Sequence, residues 1–238
     1  MRLNRFLGNF DFQQKSLRIV DRDFWHQVKN VLRLEIGEEV VLVDGRGKEA
    51  IAKIVEYNKD FVGVEILEVK TSQNEPTRQV VLYCSILKHE NFELVAQKAT
   101  EVGVAEIVPI ICERTVKTGL KYERLRKIIK EAAEQSGRGV VPKLREAISF
   151  KEAAIGAKDD SVNFLFDAVG AKLLMSDINS LAQQKKARVG VFIGPEGGWG
   201  EKEIILAKEA GFKITSLGKL TLRAETAAIV AVYLAGSN

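Results

Sequence analysis

The sequence predicts an α/β chain, a mostly parallel sheet covered by helices and preceded by a small β-rich unit. Three observations predict it. Short Val- and Ile-rich runs fill the first seventy residues; a polar stretch, Thr71 to Arg78, carries a proline and no periodicity; beyond it strand-like and helix-like segments alternate to the end.

Taken in order, Asp23 is placed to cap a helix running to about Leu32, whose Phe24, Val28, Val31 and Leu32 recur at helical spacing. Strands are predicted over Glu39 to Asp44, Ala50 to Glu56 and Phe61 to Val69, with Asp44-Gly45-Arg46-Gly47 as a hairpin-type turn. The polar stretch that follows sets the expected boundary between a first domain, 1–72, and a second, 73–238. Val80 to Ile86 then reads as a strand, Asn91 to Val102 as a helix stopped at Gly103, Glu106 to Ile111 as a strand and Tyr122 to Gln135 as a basic amphipathic helix. Ser149-Phe150-Lys151-Glu152 has the form of a capping box opening a short helix before a strand over Val162 to Phe166. A helix over Lys172 to Gln184 leads to the strand Val189 to Ile193. A helix from Glu201 to Ala210 has an acid in its first turn and Gly211 just past its end. After a strand at Ile214 to Leu217, a last helix runs from about Ala224 to Leu234 and is apolar on more than one face, so it calls for burial beyond one contact layer.

Composition narrows the function classes. A chain of 238 residues with 46% hydrophobic content can bury a full core. Cys84 and Cys112 are its two cysteines, both inside apolar runs, which favours reduced, buried thiols over a disulfide or a metal site, and zinc-ligand spacing is absent. The N-terminal stretch is broken by Arg2, Arg5 and Asp11 and lacks a signal-peptide core, and no run approaches the roughly 18 apolar residues of a membrane span. A cytoplasmic protein is expected. The net charge of +4 is unevenly spread, because ten lysines and arginines between Arg114 and Arg145 face only Glu123, Glu131 and Glu134. Such a stretch is either a solvated helix face or the footprint of a phosphate-contacting surface.

The chemistry concentrates near the C-terminus. Gly194-Pro195-Glu196-Gly197-Gly198-Trp199-Gly200 follows one strand, and Leu217-Gly218-Lys219-Leu220-Thr221-Leu222-Arg223-Ala224-Glu225-Thr226-Ala227 follows another. Each is a loop leaving a strand and entering a helix, the place where α/β sheets bind ligands. Glycine there allows positive φ and close approach of a ligand to the main chain. Neither the Walker pattern nor Gly-x-Gly-x-x-Gly spacing is present, and Glu196 would repel a phosphate, so a cationic or zwitterionic ligand suits the first loop better. A tight structural turn is the plainer alternative for that loop taken alone.

Together the two segments resemble the signature of the RsmE family, the ribosomal RNA uridine-N3 methyltransferases of the small subunit, within the trefoil-knotted SPOUT methyltransferases. The likeness extends to Gln97-Lys98-Ala99-Thr100-Glu101-Val102-Gly103-Val104, to Glu131-Ala132-Ala133-Glu134-Gln135-Ser136-Gly137-Arg138 and to Val31-Leu32-Arg33-Leu34. Trp199 stands where the family often has a smaller aromatic. The resemblance implies a PUA-like RNA-binding β-barrel in front of a knotted domain whose C-terminal segment threads a loop. It further implies a two-fold dimer through the last helix and S-adenosylmethionine as cofactor.

The resemblance also implies site residues. The cofactor would lie among Phe166, Ile193, Gly194, Pro195, Glu196, Gly197, Gly198, Leu217, Gly218, Leu220, Leu222, Ala224 and Thr226. For the leucines, plain core packing is the competing role. Arg223 is the candidate to stabilise charge spreading onto the uracil oxygens, through its fixed fork of donors, with Glu225 holding it or accepting the proton. A structural ion pair at the helix start is the alternative for Glu225. Because N3 lies on the Watson–Crick edge, the target uridine must be unpaired or extruded. Arg5, Arg33, Arg114 and Arg138 are the candidate RNA contacts, surface salt bridges being the plainer role for each. No metal is called for, and His26 and His89 are too isolated to assign. A non-catalytic RNA-binding adaptor and a knotted methyltransferase acting on transfer RNA are the rival readings.

Overall fold

A computed structural model describes residues 3–88, 90–157, 162–172 and 188–236. The helix expected over Lys172 to Gln184 and the isolated His89 fall largely or wholly outside the described residues. The chain groups into two compact units, Met1–Glu75 with Ala133–Val141, and Pro76–Ala132 with Pro142–Asn238.

The first unit is a five-stranded sheet in the order β1-β3-β4-β5-β2. Its strands are β1 (Asn4–Leu7), β2 (Ser16–Ile19), β3 (Glu39–Val43), β4 (Lys48–Tyr57) and β5 (Val62–Thr71). The pairing of β1 with β3 is parallel and the rest are antiparallel. Ala50, Ala52 and Ile54 alternate inward on β4, and Phe6, Phe10 and Phe24 meet edge to face at centroid separations of 4.9 and 6.2 Å. Neither β1 nor β2 was expected, because each is four residues long and mixes charged with apolar side chains. The helix α1 (Arg22–His26) is capped by Asp21, whose Oδ1 accepts from the Asp23 and Phe24 amides, so Asp23 sits in the first turn instead of at the cap. A single π-helical segment, Gln27–Val31, continues it, and Arg33 with φ +55° ends it in the left-handed region.

The stretch Ala133–Val141, expected in the second domain, belongs to the first unit because Glu75 gathers it. The Glu75 carboxylate accepts from the amides of Gly139 (2.9 Å) and Val140 (3.0 Å) and from the Arg138 guanidinium (2.7 Å). Nothing in local periodicity announces such a side chain-to-backbone clasp.

The second unit is built on a parallel sheet in the order β12-β10-β11-β6-β7-β8, with β9 also paired to β7. The strands are β6 (Gln79–Ser85), β7 (Glu106–Ile111), β8 (Lys143–Leu144), β9 (Ile148–Ser149), β10 (Val162–Lys172), β11 (Arg188–Ile193) and β12 (Lys213–Ser216). Val80 to Leu87 is buried without interruption, as expected of a strand covered on both faces. The described helices are α2 (Asn91–Glu101), α3 (Tyr122–Ser136), α4 (Phe150–Gly156), α5 (Glu201–Glu209) and α6 (Ala224–Gly236). Gly103, with φ +98°, follows α2, and Ser149 and Glu152 form the anticipated capping box at α4. An aromatic cluster on one side of the sheet stacks Tyr83 on Phe192 at 4.2 Å and joins Phe150 to Trp199 at 5.1 Å.

Strand order decides where a ligand can sit. From β6 the next strand lies to one side, at β7, while from its neighbour β11 the next lies to the other, beyond β10 at β12. A crevice therefore opens at the carboxyl ends of β6 and β11.

Candidate active site

A cavity of about 610 Å³ opens at that crevice. It is walled by the loops after β6, β11 and β12 and by the bulged part of β10, and it lies entirely within the second unit. Ten of the expected cofactor residues line it: Phe166, Gly194, Pro195, Glu196, Gly198, Leu217, Gly218, Leu220, Leu222 and Ala224. Arg223 and Glu225 line it as well. Ile193, Gly197 and Thr226 lie off the wall: Ile193 is buried at the end of β11, Gly197 backs onto Arg114, and Thr226 is exposed. Lys88, Asn91, Asp167, Ala168, Trp199, Ser216, Thr221 and Ala227 complete the lining. Trp199, Thr221 and Ala227 stood inside the motif strings, but Lys88 and Asn91 enter only because β6 is the neighbour of β11.

The glycine loop is a hub. Gly198 donates to the Pro195 carbonyl at 2.8 Å with φ +73°, which closes the turn. The Trp199 indole donates to the Phe166 carbonyl (2.8 Å) and so ties β10 just before its bulge. Glu196 Oε1 accepts the Lys88 amide (2.9 Å), tying the loop after β6. The Gly197 carbonyl accepts from Arg114 (2.8 Å), while Glu203 accepts the amides of Glu113 (2.9 Å) and Gly200 (2.8 Å), tying the loop after β7. A Cβ at Gly194 would stand 3.0 Å from the Trp199 ring, so any larger residue there must displace the indole. Gly218, with φ +138°, has open space where a Cβ would point.

The bulge between Phe166 and Ala171 in the β10–β12 ladder lets Asp167 turn toward the cavity, its Oδ1 accepting the Val169 amide at 2.9 Å. Glu225 is buried in the first turn of α6, where the helix dipole favours a carboxylate, while Arg223 is exposed just before the helix. Among the described residues no ion pair joins Arg223 to Glu225. Burial holds the Cys84 thiol beneath the cavity well above its ordinary pKa, with Cys112, Glu196 and Glu225 adding to it.

The arginines expected at RNA separate into different roles. Arg138 is buried and paired with Glu75 at 2.7 Å within the first unit. Arg5 is held by Glu49 at 2.7 Å, whose other oxygen lies 3.4 Å from Lys70. Arg33 is exposed at its left-handed turn. Arg114 is exposed beside the glycine loop, using one guanidinium nitrogen on Gly197. Along α3 the basic run is partly neutralised, Arg124 by Glu93 and Arg126 by Glu123. Among the described residues no cluster of His, Cys, Asp or Glu is disposed to hold a metal, and no helix is long and apolar enough to cross a membrane.

A parallel sheet with a cavity at its switch point defines a small-molecule-binding α/β protein, and the comparisons with known proteins give the class. An RNA methyltransferase domain profile matches residues 73–236 and an RNA methyltransferase PUA domain profile matches residues 21–67. The chain is 32% identical to the ribosomal RNA small subunit methyltransferase E of Synechocystis, over 87% of this chain and 68% of that protein. It is 30% identical to that of Rickettsia conorii, over 98% and 94%. The crystal structure of a ribosomal RNA small subunit methyltransferase E from Neisseria gonorrhoeae bound to S-adenosyl methionine matches with a TM-score of 0.84, 32% identity and coverage of 97% and 95%. The chain belongs to this family of RNA methyltransferases.

Proposed function

We propose that this enzyme methylates N3 of an unpaired uridine in small-subunit ribosomal RNA, with S-adenosylmethionine held in the cavity at the carboxyl ends of β6, β11 and β12, beside the bulge of β10. The observation that carries the reading is the convergence of both motif loops, with Arg223 and Glu225, on one cavity wall. The cavity fits the cofactor. Its volume suits a small organic molecule, Phe166, Pro195, Leu217, Leu220 and Leu222 give adenine apolar surface, and Gly218 leaves main chain open to it. Asp167, Glu196 and Glu225 supply the negative charge that a cationic, zwitterionic ligand requires.

When bound, the cofactor supplies a methyl carbon made electrophilic by its sulfonium. The chain's residues supply position and charge. The glycine loop, clasped to its neighbours, fixes one wall so that little reorganisation is needed when the base arrives. Arg223 offers its guanidinium fork to the charge that develops on the uracil oxygens as N3 loses its proton. Glu225, the most buried of the three carboxylates on the wall, accepts that proton or holds the guanidinium.

RNA is gripped by exposed cations, Arg33 in residues 1–72 and Arg114 in residues 73–238, so both parts take a share of docking while the chemistry stays in the second. The chain threads its C-terminal segment through a loop, a reading supported by α6 packing on α2, β6 and β11 after β12 has been laid at the far edge. Stretched from its ends, a knotted chain gives a contour length short of 238 extended residues. The enzyme works as a cytoplasmic homodimer through α6, where Tyr233 is exposed and Ile229 and Val230 are half-buried. Light scattering at the monomer mass overturns the dimer.

Arg223→Ala is expected to abolish methyl transfer while leaving cofactor affinity largely intact. Retained turnover removes Arg223 from the mechanism. Mass spectrometry of nucleosides from cells lacking the protein is expected to show the loss of 3-methyluridine from small-subunit RNA; its persistence overturns the assignment.

A further inference from the structure

Lys88 is the cation on the cavity wall that neither the motifs nor the proposed mechanism uses. It is exposed, and among the described residues its ammonium forms no ion pair, so its charge is available. Its backbone is held on both sides. The Lys88 amide donates to Glu196 Oε1 at 2.9 Å, and its carbonyl accepts the Asn91 amide at 3.2 Å where α2 begins. Glu196 in turn sits in the loop that Arg114 and Trp199 anchor. With Arg223, Lys88 is one of two cations on a wall that also carries three carboxylates.

An extruded nucleotide brings its flanking phosphates to the mouth of whatever pocket receives its base. A phosphate suits a flexible, compact ammonium. We infer that Lys88 binds a phosphate flanking the target nucleotide, and that Glu196 is a positioning residue that acts through the Lys88 amide. The inference rests on the RNA substrate proposed above. It assigns Glu196 an unusual sign. Removing an acid beside an RNA path ordinarily strengthens RNA binding by lifting a repulsion. Here its removal frees the loop that presents the cation, so binding weakens.

The test is binding of the intact chain to a uridine-containing single-stranded RNA between about 0.05 and 0.2 M sodium chloride, with S-adenosylmethionine affinity recorded for every variant. Lys88→Ala is expected to weaken RNA binding and to flatten the log–log salt slope by about 0.7–0.9, the share of one phosphate contact. Lys88→Arg keeps the slope. Glu196→Ala flattens it as Lys88→Ala does, Glu196→Gln keeps it because an amide oxygen still accepts the Lys88 N–H, and the double alanine variant loses nothing further. Stronger RNA binding by Glu196→Ala, or additive losses in the double variant, overturns the positioning role. An unchanged slope in Lys88→Ala overturns the phosphate contact, whether cofactor affinity falls instead or only the turnover number does. No RNA binding by the unsubstituted chain overturns the proposed function and this inference together, whereas wild-type binding with insensitive variants overturns this inference alone.

Discussion

Gly194 is the residue at which packing and ligand binding meet most closely. Its hydrogen faces the Trp199 ring, and the indole in turn holds the Phe166 carbonyl on the neighbouring strand, β10. Gly194→Ala should push the indole away and loosen both elements. Overpacking of this kind costs about 1–3 kcal/mol, so cofactor affinity measured by calorimetry should fall roughly fivefold or more. Trp199→Phe separates the two effects, because it keeps an aromatic ring near Gly194 and removes only the indole N–H; the Phe166 carbonyl then loses its donor, at a cost of about 1–3 kcal/mol. An unaltered affinity in both variants would mean that the clasp is irrelevant to the pocket. Trp199 was visible in the sequence as part of a motif, but its partner could not be, since Phe166 lies 33 residues away.

Elements in this chain are set by their ends. At α4 the Ser149 hydroxyl takes the Glu152 amide while Glu152 returns to the Ser149 amide and hydroxyl. Ser149→Ala should cost about 1 kcal/mol in urea denaturation. Those hydrogen bonds, that from the Ser149 hydroxyl first, hold the Glu152 carboxyl below the ordinary glutamate range. The sign follows: a depressed folded pKa contributes stability that is present above the unfolded value and lost as pH falls through the folded one. The gap between wild type and Ser149→Ala should therefore narrow on acidification below the ordinary glutamate pKa, and a gap that widens would contradict the box. At the end of α2, Gly103 combines φ +98° with a Cβ position 2.5 Å from Pro76 Cγ. Gly103→Ala should lower stability by about 1–3 kcal/mol, whatever happens at the cavity.

For the whole molecule, protection of the two thiols reports cooperative unfolding of the second unit. Burial pushes the Cys112 thiol up to about 12, with Glu203 adding to it, and burial drives Cys84 higher still. At pH 8 both should resist alkylation in the native protein and react together in denaturant. Rapid native labelling of either would show that the sheet opens locally. The division into units is a matter of this scale as well. A hydrophilic, proline-bearing stretch marks a chain break legibly, yet Ala133–Val141 returns to the first unit through Glu75, which sequence spacing does not announce.

By itself the sequence determined the longer strands and the helices described in the alternating part, though not the two-residue β8 and β9, together with the glycine-bearing turns and the residues of both motif loops. Each is fixed by hydrophobic period, by capping or by the φ a residue tolerates, all of which act over a few neighbours. Tertiary structure alone decided that β11 lies between β10 and β6, which brings Lys88 and Asn91 to the cavity. It also decided that Arg138 pairs with Glu75 and that the glycine loop is clasped by β10 and by the loops after β6 and β7. Strand order and side-chain pairing across tens of residues depend on which buried surfaces fit one another, and local pattern carries no record of that choice.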